Sequence, residues 1–572
     1  MRKAMSPEDR VRGPAAWSAR RRRVLACALG MGLGVVSCGG VPPGAGAGAG
    51  PGAGPAADIT VDLGAARAGV PAMTGLLNSL GSATSDEVLD DLAPRFLRGD
   101  LSRLLVDPRF DTERRWRLAD LERIHARGIE RIFTVDTTWG HPAKLDRFPD
   151  AVFPDGSPMW LCAWCSPSEP NGPPWDPTHA GGFEKWRSHV TSTIDELVRV
   201  VDAYNAAHEA APVDIEKEFI FDVWNEPNND VFWVTGKTNE YYETYCVAEN
   251  AIRAVLPGAR VAGPSFATYL APKVQGLLDY CRGVVDPGYS PVTSCNRCRV
   301  DVLNWHANLA DRTGEPIDPA DPPYGFEAVA ASVSHAHEAW IDNPTYADLG
   351  IEKLYFFEGT GSGYDDFHRP GEAVRYLQTF EDSGVDGAVR GCWNEECFDQ
   401  SVAGLYNGPA VVEDPETGEV QISGSWVRRP IGWVFATYPA GVESRVGAAS
   451  TDPALAVVAS RSGAEPDAVQ ILVGRSRQTG VPPGDPIDPV VALENIDAAP
   501  ALRGASEVDA EILYLPYACP AGADSMECGV ESLAEPERTH ERAEVAGGRA
   551  VLRTRPLAIH EAMLIYVRRA AP

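Results

Sequence analysis

Two glutamates stand where an apolar run stops. Glu226 ends Glu218-Phe-Ile-Phe-Asp-Val-Trp-Asn-Glu226 and is followed by Pro227. Glu358 ends Lys353-Leu-Tyr-Phe-Phe-Glu358 and runs into Gly359-Thr-Gly-Ser-Gly363. A strand buried on both faces reads as a continuous apolar run. A carboxylate just past such a run sits at the mouth of a sheet rather than in its core. Two carboxylates flanking one bond can hydrolyse a glycoside. One protonates the leaving oxygen and, in the retaining form, the other attacks the anomeric carbon. Asn225 can donate to a sugar hydroxyl beside that bond. His306 can hydrogen-bond a carboxylate or a substrate hydroxyl, or simply be a satisfied core histidine. Trp393 can offer a flat face to a sugar ring or fill core space. Trp139 and His141, after another apolar run, are candidate subsite residues. Glu395 and Glu396 rival Glu358, while Asp222, inside a run, reads as a structural hydrogen-bond partner.

These residues need elements to hold them. Short β-rich runs occur at Ala72–Leu77, Ser102–Val106, Arg131–Thr137, Glu218–Trp224, Arg260–Pro264, Val300–His306, Lys353–Phe357 and Gly387–Trp393. Helical patterns separate most of them: Leu118–Arg127, Phe183–Ala206, Tyr241–Leu256, Phe326–Trp340 and Gly371–Ser383. Eight strands alternating with helices predict an α/β fold, a (β/α)8 TIM barrel, with a doubly wound open sheet as the rival. In a barrel, Glu226 and Glu358 fall at the C-terminal ends of the fourth and seventh strands. The insertion 143–182, rich in Pro, Asp and Trp, reads as a cleft wall or a surface decoration. After residue 440 helical periodicity stops. Runs at Leu455–Ser460, Ala468–Val473, Ala510–Tyr514, Arg549–Arg553 and Ala562–Val567 predict a C-terminal β-sandwich, to which Ile59–Asp62 can add a strand. The expected domains are a signal peptide at 1–37, a Gly/Ala/Pro tether at 38–57, the barrel at 58–440 and the sandwich at 441–572.

The amino end reads as an export address. The basic cluster Arg20–Arg23 precedes an apolar run too short to span a bilayer, which ends in Val35-Val36-Ser37-Cys38. This pattern is similar to a bacterial lipoprotein signal, with Cys38 acylated and holding the protein to a membrane. Arg21-Arg22-Arg23-Val24-Leu25 also resembles, more weakly, a twin-arginine export signal. An ordinary secretory signal is the alternative. Net charge is −29 although residues 1–37 are basic. So acidic a chain repels phosphate backbones, and nucleic acid is not an expected partner. Of 12 cysteines, Cys27 lies in the signal and Cys38 takes the lipid. The close pairs Cys162/Cys165, Cys295/Cys298, Cys392/Cys397 and Cys519/Cys528, with Cys246 and Cys281 left over, read as disulfides in an exported protein. The two CxxC pairs also allow zinc, but the other cysteines lack metal spacing. No phosphate loop, dinucleotide fingerprint or HExxH occurs, so no cofactor and no metal are expected.

Phe221-Asp-Val-Trp-Asn-Glu-Pro-Asn228, Tyr241-Tyr-Glu-Thr-Tyr245, Ala251-Ile-Arg-Ala-Val-Leu-Pro-Gly-Ala-Arg-Val-Ala-Gly-Pro-Ser265 and Val302-Leu-Asn-Trp-His306 together resemble glycoside hydrolase family 39, the β-xylosidases and α-L-iduronidases. The resemblance spans roughly residues 70–440 and is best over 183–310. It implies a barrel with a β-sandwich and retention of configuration. It also implies Glu226 as acid/base, Glu358 as nucleophile, and Asn225 and His306 as substrate-binding residues. The implied substrate is an oligo- or polysaccharide. An endo-acting hydrolase of an exopolysaccharide and a non-catalytic surface glycan-binding lipoprotein are the alternatives. The sequence departs from the family at Gly359-Thr360 after the nucleophile. It departs again at Leu104–Phe110, the expected second-strand region, which lacks a histidine. Because two close carboxylates repel when both are charged, one pKa should rise, and the acid/base role points to Glu226.

Overall fold

Eight of the described strands close on themselves because each carries apolar side chains on both faces. In the computed structural model, β2 (Gly75–Leu77), β3 (Phe96–Asp100), β4 (Glu130–Val135), β5 (Phe219–Val223), β6 (Arg260–Phe266), β7 (Val302–Asn308), β8 (Lys353–Thr360) and β9 (Gly387–Arg390) pair in parallel. β9 returns to β2 and closes the barrel, so the doubly wound alternative is excluded. The structure describes residues 58–77, 85–100, 121–135, 182–228, 238–308, 326–360, 369–391, 405–407, 410–413, 420–423, 426–463, 465, 467–476, 485–517 and 535–571.

Side-chain alternation builds two cores from these strands. Inside the barrel lie Leu77, Phe96, Ile132, Ile220, Ala262, Val302, Tyr355, Phe357 and Val389. Their neighbours Leu97, Phe133, Phe219, Phe221, Val261, Leu303 and Phe356 join the larger core outside the barrel. Phe96 finds room because Gly387 faces it; a Cβ there would lie 2.5 Å from the ring. The helices are α1 (Asp86–Leu92), α2 (Gly182–Ala207), α3 (Ile215–Glu218), α4 (Thr238–Val255), α5 (Ala271–Cys281), α6 (Phe326–Ala336) and α7 (Pro370–Ser383). Among the described residues no helix is long and apolar enough to cross a membrane.

One expected strand is misplaced. The second barrel strand is Phe96-Leu-Arg-Gly-Asp100, not Ser102–Val106, which lies outside the described residues. Arg98 makes this strand look polar in sequence. It is tolerated because the buried cation meets a buried carboxylate inside the barrel.

Past the barrel come two small antiparallel ribbons: β10 (Tyr406–Asn407) with β13 (Val427–Arg428), and β11 (Ala410–Glu413) with β12 (Val420–Ser423). Helix α8 (Pro430–Thr437) follows. The remaining strands are β14 (Arg445–Ser450), β15 (Leu455–Ser460), β16 (Val469–Arg475), β17 (Val490–Glu494), β18 (Glu507–Leu515), β19 (Glu537–Glu544), β20 (Ala550–Arg553) and β21 (Ala562–Arg569). They form one sheet with β1 (Ile59–Ala66), in the order β19-β18-β21-β16-β15-β14-β1-β17-β20. All nine strands send residues to a single apolar cluster, among them Val61, Val446, Val457, Ile471, Leu493, Ile512, Ala543, Leu552 and Ile565. One face can converge so only if the sheet curls over itself, as a sandwich does.

The other face is buried too. Ala456, Val458, Leu472, Leu513 and Leu564 belong to the core that covers the barrel. Helix α7 approaches this face closely where Gly371 and Gly474 meet; a Cβ on Gly371 would lie 2.2 Å from the Arg475 carbonyl. Arg445 donates to Glu381 at 2.7 Å across the same boundary, with both side chains buried. His560 Nδ1 lies 2.9 Å from Glu372.

The cysteines pair differently from their sequence neighbours. Cys281 is bonded to Cys298, and the Cys246 and Cys295 sulfurs lie 2.6 Å apart. Cys295 and Cys298 therefore reach separate helices, α4 and α5, instead of each other. Cys162, Cys165, Cys392, Cys397, Cys519, Cys528 and Cys38 lie outside the described residues.

Candidate active site

At the end of β5 the chain turns sharply. Trp224 has φ 71° and Glu226 φ 46°. Positive φ is unusual for any residue with a Cβ and a genuine outlier for one as bulky as Trp, so neighbours must hold the turn. They do. Trp224 N–H donates to the Val135 carbonyl on β4 at 3.0 Å, and Glu226 N–H donates to the Ser265 carbonyl on β6 at 2.9 Å. The Trp224 ring packs edge-on against Trp186, 5.7 Å between centroids. Asn228 accepts from the Ala267 N–H at 2.7 Å and anchors the far side of the turn.

A second irregularity brings Glu358 to meet it. Along β7 and β8, Trp305 pairs with Phe356 but His306 pairs with Glu358, so Phe357 is an extra residue on β8. Such a bulge re-aims the side chains beyond it. Phe357 stays in the barrel interior, and Glu358 opens onto the barrel mouth beside His306.

One oxygen of Glu226, one of Glu358 and a ring nitrogen of His306 lie within 4.8 Å of one another. His306 Nδ1 is 3.0 Å from Glu226 Oε1 and 3.5 Å from Glu358 Oε2. His306 is fully buried, and its Nε2 has no partner among the described residues. Arg98 supplies a cation from β3, with Nη1 3.7 Å from Glu358 Oε2. Its Nη2 donates to Asn225 Oδ1 at 2.9 Å. Asn225 is thereby left with a buried Nδ2 that has no partner among the described residues.

Burial pushes the Glu358 carboxyl above the usual carboxylate range, and the Glu226 charge pushes the same way, while His306 and Arg98 oppose it. The upward push thus falls on Glu358, where the sequence argument expected it on Glu226. Glu358 sits at a strand end among His306, Glu226 and Arg98, and desolvation outweighs the nearby cation.

Asn225, Glu226, His306 and Glu358 are therefore brought together as expected. Trp139, His141, Trp393, Glu395 and Glu396 lie outside the described residues. Sequence reasoning missed Arg98, Asn304 and Ser265 and left Asp222 as a structural partner. One signal was available: an aspartate at an inward position of a buried strand needs a cation on an adjoining strand.

Residues 185–336 match the profile of the glycosyl hydrolases family 39. The resemblance to family 39 holds over this segment. It runs from α2 to α6, so it includes Asn225, Glu226 and His306 but stops before Glu358. Within the curated proteins, a β-xylosidase of Geobacillus stearothermophilus is 25% identical over 99 residues, 17% of this chain and 18% of that protein. A β-xylosidase of Caldicellulosiruptor saccharolyticus is 35% identical over 100 residues, again 17% and 18%. The chain thus spans less than a fifth of these relatives' length. A monomeric β-xylosidase structure from Caulobacter crescentus superposes with a TM-score of 0.52 at 18% identity, covering 90% of this chain and 100% of that one. That likeness concerns the fold.

Proposed function

We propose that this chain is a retaining O-glycoside hydrolase, β-xylosidase-like, with Glu226 as acid/base and Glu358 as nucleophile. The observation that carries the reading is the approach of the two carboxylates at the barrel mouth. Their nearest oxygens lie within 4.8 Å. Retaining enzymes hold the two groups about 5–5.5 Å apart and inverting ones roughly 6.5–9.5 Å, to admit a water. In the first step Glu358 attacks the anomeric carbon while Glu226 gives its proton to the leaving oxygen. In the second Glu226 takes a proton from water, which releases the sugar from Glu358. Asn225 Nδ2, buried and aimed away from Arg98, is available to a sugar hydroxyl. The substrate is an oligo- or polysaccharide, and the similarity to β-xylosidases favours a β-xyloside.

The proposed location is outside the cytoplasm, with a lipid on Cys38 tethering the chain to a membrane. The basic cluster, the apolar run and the Gly/Ala/Pro segment after Cys38 support it. Mass spectrometry of the membrane fraction should find the lipid, and Cys38→Ala should release the protein.

Aryl β-xylosides and intact polysaccharides, with product sizing, test the activity and separate exo from endo action. Glu226→Ala should slow poor leaving groups far more than activated aryl glycosides. Azide should rescue it as a glycosyl azide of retained configuration. Glu358→Ala should be nearly inactive on both. A 2-fluoro xyloside should label Glu358; label on Glu395 or Glu396 would move the nucleophile to another strand. Binding of glycans with neither turnover nor label would favour the glycan-binding protein.

A further inference from the structure

Beneath the two glutamates the barrel interior changes from apolar to polar. Asp222, fully buried on β5, is the hub of that layer. Its Oδ2 accepts from Arg98 Nε at 3.0 Å and from Arg98 Nη2 at 2.7 Å. Its Oδ1 accepts from Asn304 Nδ2 at 2.9 Å and from the Ser265 hydroxyl. Ser265 and Asn304 lock each other from β6 and β7. The Ser265 N–H donates to Asn304 Oδ1 at 2.7 Å, and Asn304 Nδ2 donates to Ser265 Oγ at 2.8 Å. Tyr241 on α4 caps the layer from outside by donating to the Pro264 carbonyl at 2.8 Å.

We propose that Asp222 is a positioning residue for the active site: by gripping the Nε–Nη2 edge of the Arg98 guanidinium, it divides one buried cation between itself and Glu358 and fixes which end of Asn225 faces the cleft. The division follows from the distances. Arg98 makes two hydrogen bonds to Asp222 but stands 3.7 Å from Glu358, outside hydrogen-bond range. A guanidinium is planar and rigid, so pinning Nε and Nη2 also sets where Nη1 points. Nη2, held by Asp222, is spent on Asn225 Oδ1. The amide must then present its Nδ2, a donor, to the cleft. The same grip keeps most of the Arg98 charge off Glu358. A nucleophile locked in a full bidentate ion pair is a poorer one.

Removing the Asp222 charge should turn the cation onto Glu358. Among the described residues the charged groups that face Glu358 are Arg98 on β3, Glu226 after β5 and His306 on β7, and of these Arg98 is the one held by Asp222. In Asp222→Asn, Arg98 is free to close its 3.7 Å separation from Glu358, which should lower the Glu358 titration by about one unit or more.

The inference rests on the glycosidase reading for its catalytic meaning, but its test does not. The full chain is labelled with side-chain 13C-glutamate, and Glu358 is assigned by its loss in Glu358→Gln. Its titration is then followed by NMR. Asp222→Asn should titrate lower than wild type. Ser265→Ala, which keeps the Asp222 charge, should leave the titration where it is. Should Asp222→Asn not fold, the double variant Arg98→Met/Asp222→Asn removes the buried pair as a unit, and Glu358 should then titrate higher than wild type. An unchanged Glu358 titration in Asp222→Asn, or in the double variant when that is the one measured, overturns the proposal. If the titrations move as stated but no glycoside is turned over and no label forms, Asp222 keeps its role and the hydrolase reading falls. In an active enzyme the acid limb of the pH–rate profile should move down in Asp222→Asn while kcat drops.

Discussion

Glu358 is the residue whose environment says most about the chemistry. As the proposed nucleophile it must be ionised to attack, yet burial and the neighbouring Glu226 charge hold its pKa above the ordinary carboxylate range. On the proposed mechanism the carboxyl is protonated and inert below that raised value, and available as a nucleophile above it. Activity should therefore fall as pH drops through a value higher than the ~4.3 of a free glutamate. A pH–rate profile on an activated aryl xyloside checks this, because protonation of the leaving group then matters little. An acid limb at or below the free value would contradict it. His306 belongs to the same balance. It sits between both carboxylates, and its attraction is the largest of the forces that pull Glu358 back down. His306→Phe should carry the acid limb further up.

Elements set the site by departing from regularity. A straight β5 and a regular β8 would place Glu226 and Glu358 according to strict alternation. The positive-φ turn at Trp224–Glu226 and the extra Phe357 on β8 instead aim both at the barrel mouth. At the opposite end, the elements are stapled. The connection from α5 to β7 holds Cys298, bonded to Cys281 seventeen residues earlier. This connection enters the N-terminal end of a barrel strand, a face that serves stability rather than catalysis. A loop of that size should contribute about 3 kcal/mol through restriction of the unfolded chain. Cys281→Ser/Cys298→Ser should lower the midpoint of chemical denaturation accordingly and leave kcat on an aryl xyloside close to wild type. A large loss of kcat in protein that is still folded would count against this division of labour.

At the largest scale, the described residues form a barrel cemented to a curled sheet. Helix α7 is the joint, covered on one side by barrel strands and on the other by β15 and β16. At its C-terminal end Glu381 and Arg445 form a buried ion pair, reinforced by Ser460 Oγ and the Tyr438 carbonyl around the guanidinium. Removing one partner leaves the other charge buried without compensation. Glu381→Ala should therefore cost about 3–5 kcal/mol. Urea or guanidinium unfolding should register the loss. A cost under about 1 kcal/mol would mean that water reaches Arg445 or that the sheet parts from the helix. β19, with its Glu537-Arg-Thr-His-Glu-Arg-Ala-Glu544 sequence, is the exposed edge of the sheet; its charges discourage pairing with another chain.

The sequence by itself determined the strands whose burial is written as apolar runs. Phe219–Val223, Lys353–Phe357 and Leu455–Ser460 are legible because water exclusion on both faces demands such residues. It also marked Glu226 and Glu358 as carboxylates at strand ends, which the barrel brings together with His306. Only the tertiary structure decided β3, because Arg98 makes that strand look polar until Asp222 is seen 2.7 Å away. β19 stayed hidden for a related reason: so charged a strand owes its pairing to neighbours distant in the chain. The same holds for the cysteines, where Cys295 and Cys298 are three positions apart in sequence but face different helices. The bulge at Phe357 and the division of the Arg98 charge belong to tertiary structure as well. Register and shared hydrogen bonds are set by contacts between strands, and no local pattern of residues encodes them.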